Sequence, residues 1–200
     1  MYFELEFGVS IKIKTHIIGL GNPGTSYTSS PHNLGFMLLD RILEKCTIIK
    51  SAETVKQKIW ITENIVFSKP KTYMNLSGQV LKELHDLTKM NRGDFVNSII
   101  VLHDDITLPM HQIKYKDGAI NPGLAGHNGL RSLADALMKL GLSKEEAVRF
   151  KRIRLGCDSR ARAGKELHQY VTQPMSKTDL LHWETAIDLW LGQFDLLNLA

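Results

Sequence analysis

The feature that most constrains the fold is a continuous apolar run, SIIVL, at residues 98–102. A short run without polar alternation is typical of a strand buried on both faces, as in the centre of a parallel sheet. A second run at residues 13–20, IKTHIIGL, ends abruptly in glycine, asparagine and proline, which indicates another strand followed by a turn. A strand that is covered on both faces needs helices above and below it. We therefore expect an α/β fold.

Helical patterns alternate with these strands. Apolar residues recur at i, i+3, i+4 and i+7 after His32, and similar spacing predicts helices near residues 80–87, 130–140 and from 176 onwards. A hairpin is predicted at residues 59–67, and short strands at 113–116 and 150–155. The run at 98–102 is expected to stop where HDD begins. This alternation, within 200 residues, predicts a single α/β domain.

Composition limits the classes of function. The chain has 25 Lys and Arg against 21 Asp and Glu, a formal charge of +4, which permits a polyanionic partner such as RNA without requiring one. Its two cysteines, Cys46 and Cys157, lie far apart and show no metal-binding spacing. We therefore expect a cytoplasmic protein without a disulfide framework. The sequence shows no signal peptide and no stretch able to span a bilayer, so no membrane association is expected.

Polar residues collect where predicted elements meet. Asn22 and Asp104 follow the apolar runs, whereas Asn75 and the pair His127 and Asn128 precede predicted helices. Because ligands of open α/β sheets bind outside the carboxyl ends of the strands, these side chains can share one crevice. Taken singly, each residue has a structural explanation, and Asn75 and Asn128 would be helix N-caps. Their convergence favours a functional site.

Residues 19–24, GLGNPG, match the GxGxxG pattern of dinucleotide-binding turns. That pattern requires a helix that begins within the turn, so that its N-terminus faces the pyrophosphate. Here the helical spacing begins only after His32, and the chain contains no GK[ST] sequence. A tight turn is therefore the better interpretation, and we expect no nucleotide cofactor.

Four segments together resemble the bacterial-type peptidyl-tRNA hydrolases. They are GLGNPGTSYTSSPHNLG at 19–35, KPKTYMNLSG at 69–78, LHDDITLP at 102–109 and GHNGLRS at 126–132. The resemblance runs from about residue 14 to the end of the chain, in the family's order and spacing. It implies hydrolysis of the ester between peptide and tRNA, without metal or cofactor, by a monomer. It also implies a mixed, mostly parallel, twisted sheet flanked by helices over residues 14–200, after an N-terminal extension at 1–13.

The resemblance also implies roles for particular residues. His32 matches the catalytic base, and Asp104 matches its carboxylate partner. The substrate-binding positions match Asn22, Tyr27, Met74, Asn75 and Asn128, and the basic positions that face the tRNA match Lys114, Lys116 and Arg154. For Arg152, a phosphate contact and a solvated strand face remain equal alternatives. The same fold occurs in plant organellar splicing factors that bind RNA without catalysis, which is the competing function.

The chain departs from the family pattern around this site. The loop at residues 117–126 is longer than usual and contains Pro122, and residues 157–160 replace a glycine-rich turn. Pro31 stands where arginine is usual, and Thr107 where an acid is common. These changes leave His32 and Asp104 in place and alter the surface that would receive tRNA.

Overall fold

The computed structural model describes residues 2–4, 10–118, 126–158, 164 and 166–193. Strands β1 (Tyr2–Glu4) and β2 (Ser10–Lys12) pair as a two-stranded sheet of their own. The other strands of these described residues form one seven-stranded sheet. They are β3 (Thr15–Gly19), β4 (Lys50–Glu53), β5 (Gln57–Ile61), β6 (Ile65–Pro70), β7 (Ile99–Pro109), β8 (Ile113–Lys116) and β9 (Lys151–Asp158).

The strand order in the large sheet is β4-β5-β6-β3-β7-β9-β8. The central strands β6, β3, β7 and β9 run parallel to one another, and β4, β5 and β8 are joined to the edges by antiparallel pairing. The predicted α/β fold with a mixed sheet, parallel in its centre, is confirmed. The parallel centre brings the carboxyl ends of β3 and β7 to the same edge.

Six α-helices occur among the described residues, together with three 3-10 turns at Thr25–Tyr27, Pro31–Asn33 and Met74–Val80. The α-helices are α1 (Leu34–Leu43), α2 (Leu81–Thr88), α3 (Arg92–Ser98), α4 (Asn128–Lys139), α5 (Leu167–Thr172) and α6 (Lys177–Gln193). Within the part of the chain that the structure describes, no helix is both long and apolar enough to cross a membrane.

Helices cover both faces of the sheet, as the apolar run of β7 predicts. Ile18 and Val101 belong to a core shared with α2, α3 and α4, whereas Ile17 and Ile100 belong to a core shared with α1 and α6. All four side chains are fully buried. Burial of each such side chain contributes roughly 1.5–3 kcal/mol, so the two cores hold the central strands rigidly beneath the site.

Strand β7 is longer than the sequence predicts. It does not stop at His103 but continues to Pro109, because β9 goes on pairing with it beyond the end of β3. Asp104 therefore lies inside a strand, opposite Leu155, and the prediction that it follows the strand is wrong. The pairing with β9 fixes the backbone before and after Asp104 along the chain.

Other predicted elements agree with the structure. The hairpin of β5 and β6 turns at residues 62–64, and α6 begins after Ser176, whose Oγ accepts from the N–H of Asp179 at 3.0 Å. Helix α3, helix α5 and strand β4 were not predicted. Residues 119–125 of the unusual loop and residues 159–160 of the unusual turn lie outside the described residues. The domain boundary at residue 13 stays a prediction.

Candidate active site

One cleft, of about 500 Å³, opens where the ends of β3 and the middle of β7 meet the starts of several helices. Every residue predicted to act in catalysis or to bind the peptide lines it. They are His32, Asp104, Asn22, Tyr27, Met74, Asn75 and Asn128. The structure therefore places all seven predicted side chains on one cleft.

His32 and Asp104 form a hydrogen-bonded pair. His32 lies in the 3-10 turn before α1, and its Nδ1 is 2.9 Å and 3.0 Å from the two carboxylate oxygens of Asp104. Because an ionised carboxylate only accepts, Nδ1 carries the proton and Nε2 keeps its lone pair. The His32 side chain is 13% exposed and that of Asp104 is 2% exposed. The pair thus presents a base at the wall of the cleft.

The surroundings set the proton affinity of both groups. Burial alone would lower the pKa of His32, but the charge and hydrogen bonds of Asp104 outweigh it and raise the pKa above its usual range. Burial alone would raise the pKa of Asp104, yet contacts with His32 and His127 hold the pKa well below its usual range. Asp104 is therefore ionised at neutral pH.

His127 is a member of the site for which the sequence offered no role. Its Nδ1 accepts from the backbone N–H groups of Gly129 and Leu130, which makes it the N-cap of α4. Its Nε2 lies 2.9 Å from Oδ1 of Asp104. Since Nδ1 accepts, Nε2 carries the proton and donates to the carboxylate. Its position directly before Asn128 was the available signal.

His32, Asp104 and His127 also have the composition of a metal site, with ligand atoms within 4.8 Å of one another. A metal bound to Nε2 of His127 would need that nitrogen deprotonated and the proton on Nδ1. A protonated Nδ1 would face the two N–H groups that it now accepts from. The geometry fits a hydrogen-bonded network better than a metal centre.

The backbone and side chain of Asn22 are both fixed. Its Oδ1 accepts from the N–H of Met74 at 2.8 Å, which leaves its Nδ2 amide as a donor. Asn33 accepts from the N–H of Asn22 at 2.8 Å and donates to its carbonyl at 3.0 Å. Asn33 is 3% exposed and was missed by the sequence analysis, although it directly follows His32.

Asn75 and Asn128 do not cap helices. The N-cap of the 3-10 turn that contains Asn75 is Tyr73, and Asn128 is the first residue of α4 after its cap, His127. The N-cap interpretation of both asparagines is therefore wrong. Both are exposed residues of the cleft wall, and their amides are not engaged in capping.

Glycines allow the elements of the site to approach one another. A Cβ at Gly35 would collide with the carbonyl oxygens of Leu20 and Leu102, so glycine lets α1 pack against β3 and β7 and places His32 beside Asp104. A Cβ at Gly21 would collide with the Phe36 ring, and Gly24 has a φ of 100°. No α-helix begins in this turn, which leads only into the 3-10 turn at Thr25–Tyr27, in agreement with its interpretation as a tight turn.

Aromatic and helical residues complete the lining of the cleft. The rings of Tyr27 and Tyr73 meet edge to face with centroids 6.5 Å apart. Helix α5 contributes Leu167, His168 and Val171. Tyr73 and α5 are additions to the predicted site. Helix α5 was not predicted because it is short and lacks a clear apolar period.

The predicted basic residues lie on one face of β8 and β9. Lys114 is opposite Arg154, and Lys116 is opposite Arg152, so cationic side chains adjoin across the strand pair. The two lysines are exposed. Arg154 instead donates from Nε to Asp105 at 2.7 Å and from Nη2 to Thr107 at 3.0 Å. Arg152 is 6% exposed, and burial followed by the charge of Arg154 lowers its pKa.

Comparison with known proteins decides the family. The family model described as peptidyl-tRNA hydrolase matches residues 16–197 of this chain. The chain belongs to the peptidyl-tRNA hydrolase family. Its match covers β3 to the end of α6 and so includes every residue of the cleft.

Relatives and solved structures agree with the peptidyl-tRNA hydrolase match. A peptidyl-tRNA hydrolase of Sulfurimonas denitrificans is 32% identical over 171 residues, which is 86% of this chain and 83% of that protein. One of Geotalea uraniireducens is 34% identical over 191 residues, which is 92% and 87%. A crystal structure of the Acinetobacter baumannii peptidyl-tRNA hydrolase superposes with a TM-score of 0.70 at 24% identity, covering 93% and 89%. That structure shows the shared fold.

Proposed function

We propose that this chain hydrolyses the ester that joins a peptide to the terminal ribose of tRNA, and thereby releases tRNA and a free peptide. The observation that carries the proposal is the His32–Asp104 pair, 2.9 Å apart, in a cleft that asparagine amides also line. Family membership supports it, because the relatives bear the name peptidyl-tRNA hydrolase.

His32 would act as a general base on water. Asp104 holds the proton on Nδ1, so Nε2 takes a proton from a water molecule as its oxygen attacks the ester carbonyl. The tetrahedral intermediate then breaks its bond to the ribose oxygen, which receives that proton from the imidazolium. Asp104 stabilises the imidazolium between these steps. A positioned base contributes about 10²–10⁴-fold to the rate.

The asparagines would hold the peptide and the reacting ester. Because Oδ1 of Asn22 is occupied by the Met74 N–H, its Nδ2 donates towards the cleft, where an oxyanion develops. Loss of one such donor costs roughly 10²–10³-fold in turnover. Asn75 and Asn128 can pair with peptide N–H and C=O groups, which every peptide has. Tyr27 and Met74 would form the wall beside them.

The cationic strand face would bind the tRNA. Lys114 and Lys116 are exposed and project from β8 beside the cleft-forming strands, where they can contact phosphates. Such contacts give salt-dependent affinity that is largely independent of sequence. Arg154 can contribute only while it also holds Asp105. We further propose that the protein acts in the cytoplasm and as a monomer. Sedimentation of the purified chain would test the oligomeric state.

A direct assay tests the proposed function. The purified chain is incubated with N-acetyl-aminoacyl-tRNA, and release of the acylated amino acid is measured. We expect turnover by the wild type and none above background by His32→Ala, with an unchanged circular dichroism spectrum. His182→Ala, at an exposed position of α6 that does not line the cleft, is the matched control and should keep wild-type activity.

The alternative of RNA binding without catalysis predicts a different result in the same assay. A non-catalytic protein would bind tRNA tightly and release no acylated amino acid. The intact His32–Asp104 pair and the fixed amide of Asn22 disfavour this alternative, because RNA binding alone needs neither. Binding without cleavage would establish it.

A further inference from the structure

The carboxylate of Asp104 accepts hydrogen bonds from three side chains. Nδ1 of His32 and Nε2 of His127 each lie 2.9 Å from Oδ1. The thiol of Cys157, on β9, donates to Oδ2 at 3.9 Å. Cys157 is 0% exposed and Asp104 is 2% exposed. In such a buried environment, each donor withdraws charge from the carboxylate more effectively than it would in water.

The donation from His127 is imposed by helix α4. Nδ1 of His127 accepts from the N–H groups of Gly129 and Leu130 at 3.1 Å and 3.4 Å, so the ring proton must be on Nε2. A neutral His127 therefore cannot turn its acceptor nitrogen towards Asp104 without leaving the first turn of α4 uncapped. The cap of the helix and the contact with the carboxylate depend on one tautomer.

The donation from Cys157 follows from the extended pairing of β7 and β9. Asp104 is opposite Leu155 in this pairing, and Cys157 lies two residues further on the same face of β9. The thiol therefore reaches the carboxylate from the strand side, while His127 reaches it from the helix side. His32 therefore shares the negative charge of the Asp104 carboxylate with two other donors, His127 and Cys157.

We propose that His127 and Cys157 are positioning residues that share the Asp104 carboxylate with His32 and limit how tightly Asp104 holds a proton on His32. This inference rests on the proposed function, in which His32 must be neutral to accept a proton from water. A carboxylate bound to His32 alone would hold the imidazolium more strongly. His32 would then be protonated, and inactive, over a wider pH range.

Other ionisable groups around the network are His103, Asp105 and His168. His103 donates from Nδ1 to the backbone carbonyl of Asp104, and burial lowers its pKa to about 3, so it is neutral. Asp105 is paired with Arg154 at 2.7 Å on the other face of β7. His168, on α5, lines the same cleft.

The first test replaces the thiol by an apolar group of similar size. Cys157→Val suits a buried strand and removes the thiol donor. The titration of His32 is followed by NMR of the free protein with labelled histidine. We expect its midpoint to rise by about 0.3 pH unit, the effect of losing one weak donor. Cys46→Val, at the other cysteine and outside the cleft, should leave the midpoint unchanged.

The second test separates the two roles of His127. Asparagine is a good N-cap, so His127→Asn keeps an acceptor for the first turn of α4, but its side chain is too short to reach Asp104. We expect the His32 midpoint to rise by roughly 0.5–1 pH unit with a nearly unchanged melting temperature. A residue with a merely structural role would change the melting temperature and leave the His32 titration where it is.

The closing experiment combines these titrations with the pH dependence of kcat/KM for N-acetyl-aminoacyl-tRNA. The acid limb should move upward in both variants by the same amounts as the NMR midpoints. Unchanged or lowered midpoints in both variants would overturn the inference. Because the NMR titration needs no substrate, raised midpoints in a chain without hydrolase activity would refute the proposed function and keep the inference. If Cys157→Val does not fold, Cys157→Ala provides the same comparison.

Discussion

Asn33 holds the backbone of Asn22 from both sides, accepting from its N–H at 2.8 Å and donating to its carbonyl at 3.0 Å. The two residues belong to different segments, the turn after β3 and the turn before α1. Since His32 immediately precedes Asn33, this contact also fixes the distance between the proposed base and the proposed amide donor. The position of the reacting ester therefore depends on a residue that need not touch it.

Replacing Asn33 by alanine should impair turnover more than substrate binding. The change removes two hydrogen bonds at a position that is 3% exposed, and it should cost about 1–3 kcal/mol of unfolding free energy. The displaced amide of Asn22 should lower kcat by roughly 10-fold, less than complete loss of a donor. Denaturant unfolding and steady-state kinetics measure the two effects. A destabilised protein with wild-type kcat would show that Asn33 serves stability alone.

Replacing Asp104 by asparagine should lower the rate and move its acid limb to lower pH. The proposed base must be neutral, so kcat/KM falls as pH drops below the pKa of His32. Asp104 is what raises that pKa against the effect of burial, so without its charge the pKa should fall below the ordinary value of 6.5. The rate plateau should drop by about 10²–10⁴-fold. An acid limb that stays at the wild-type pH would remove Asp104 from the proposed mechanism.

His16 should make the fold sensitive to acid. It is fully buried in β3, its Nδ1 lies 2.8 Å from Oγ of Ser98, and burial followed by the charge of His85 lowers its pKa from 6.5 to about 3. The unfolded chain binds this proton more readily than the folded one. The contribution of neutral His16 to the free energy of unfolding is therefore fully present above pH 6.5. It is lost as pH falls towards 3, by about 1.4 kcal/mol per pH unit.

His16→Leu should remove this contribution to the pH dependence. Denaturant unfolding of the wild type and the variant at several pH values gives the difference in slope between them. Parallel stability curves for wild type and His16→Leu would mean that His16 protonates equally well in the folded protein.

Lys116→Ala should weaken tRNA binding and reduce its dependence on salt. Removal of one phosphate contact lowers the slope of log affinity against log salt by about 0.7–0.9. Lys82→Ala is a useful control, because Lys82 is exposed on α2 and paired with Asp86. A salt slope equal to the wild type in Lys116→Ala would show that this lysine is only solvated.

Much of the cleft could be predicted from the sequence because strand ends and helix starts concentrate at one sheet edge. That argument brought Asp104, His127 and the three asparagines together, the family resemblance added His32, and the structure places all of them on one cleft. It misplaced Asp104 relative to its strand. The apolar pattern predicts that β7 ends after Leu102, whereas backbone pairing with β9 extends the strand past Asp104 and Asp105.

The rest of the site depends on contacts between distant segments. Asn33 was not predicted, and His127 was placed in the crevice without a role. Their contacts are hydrogen bonds across 11 and 23 residues of sequence. Cys157 was predicted to lie in a turn after the strand at 150–155, whereas β9 extends to Asp158 and brings the thiol beside Asp104. Helix α5 is only six residues long, too short for an apolar period to reveal it.

The most direct test of the central claim is turnover of N-acetyl-aminoacyl-tRNA by the wild type and by His32→Ala under identical conditions. We predict multiple turnovers by the wild type and release at the background rate by a folded His32→Ala protein. Turnover by His32→Ala equal to that of the wild type would contradict the assignment of His32 as the base. Absence of turnover in the folded wild-type protein would contradict the proposed hydrolysis itself.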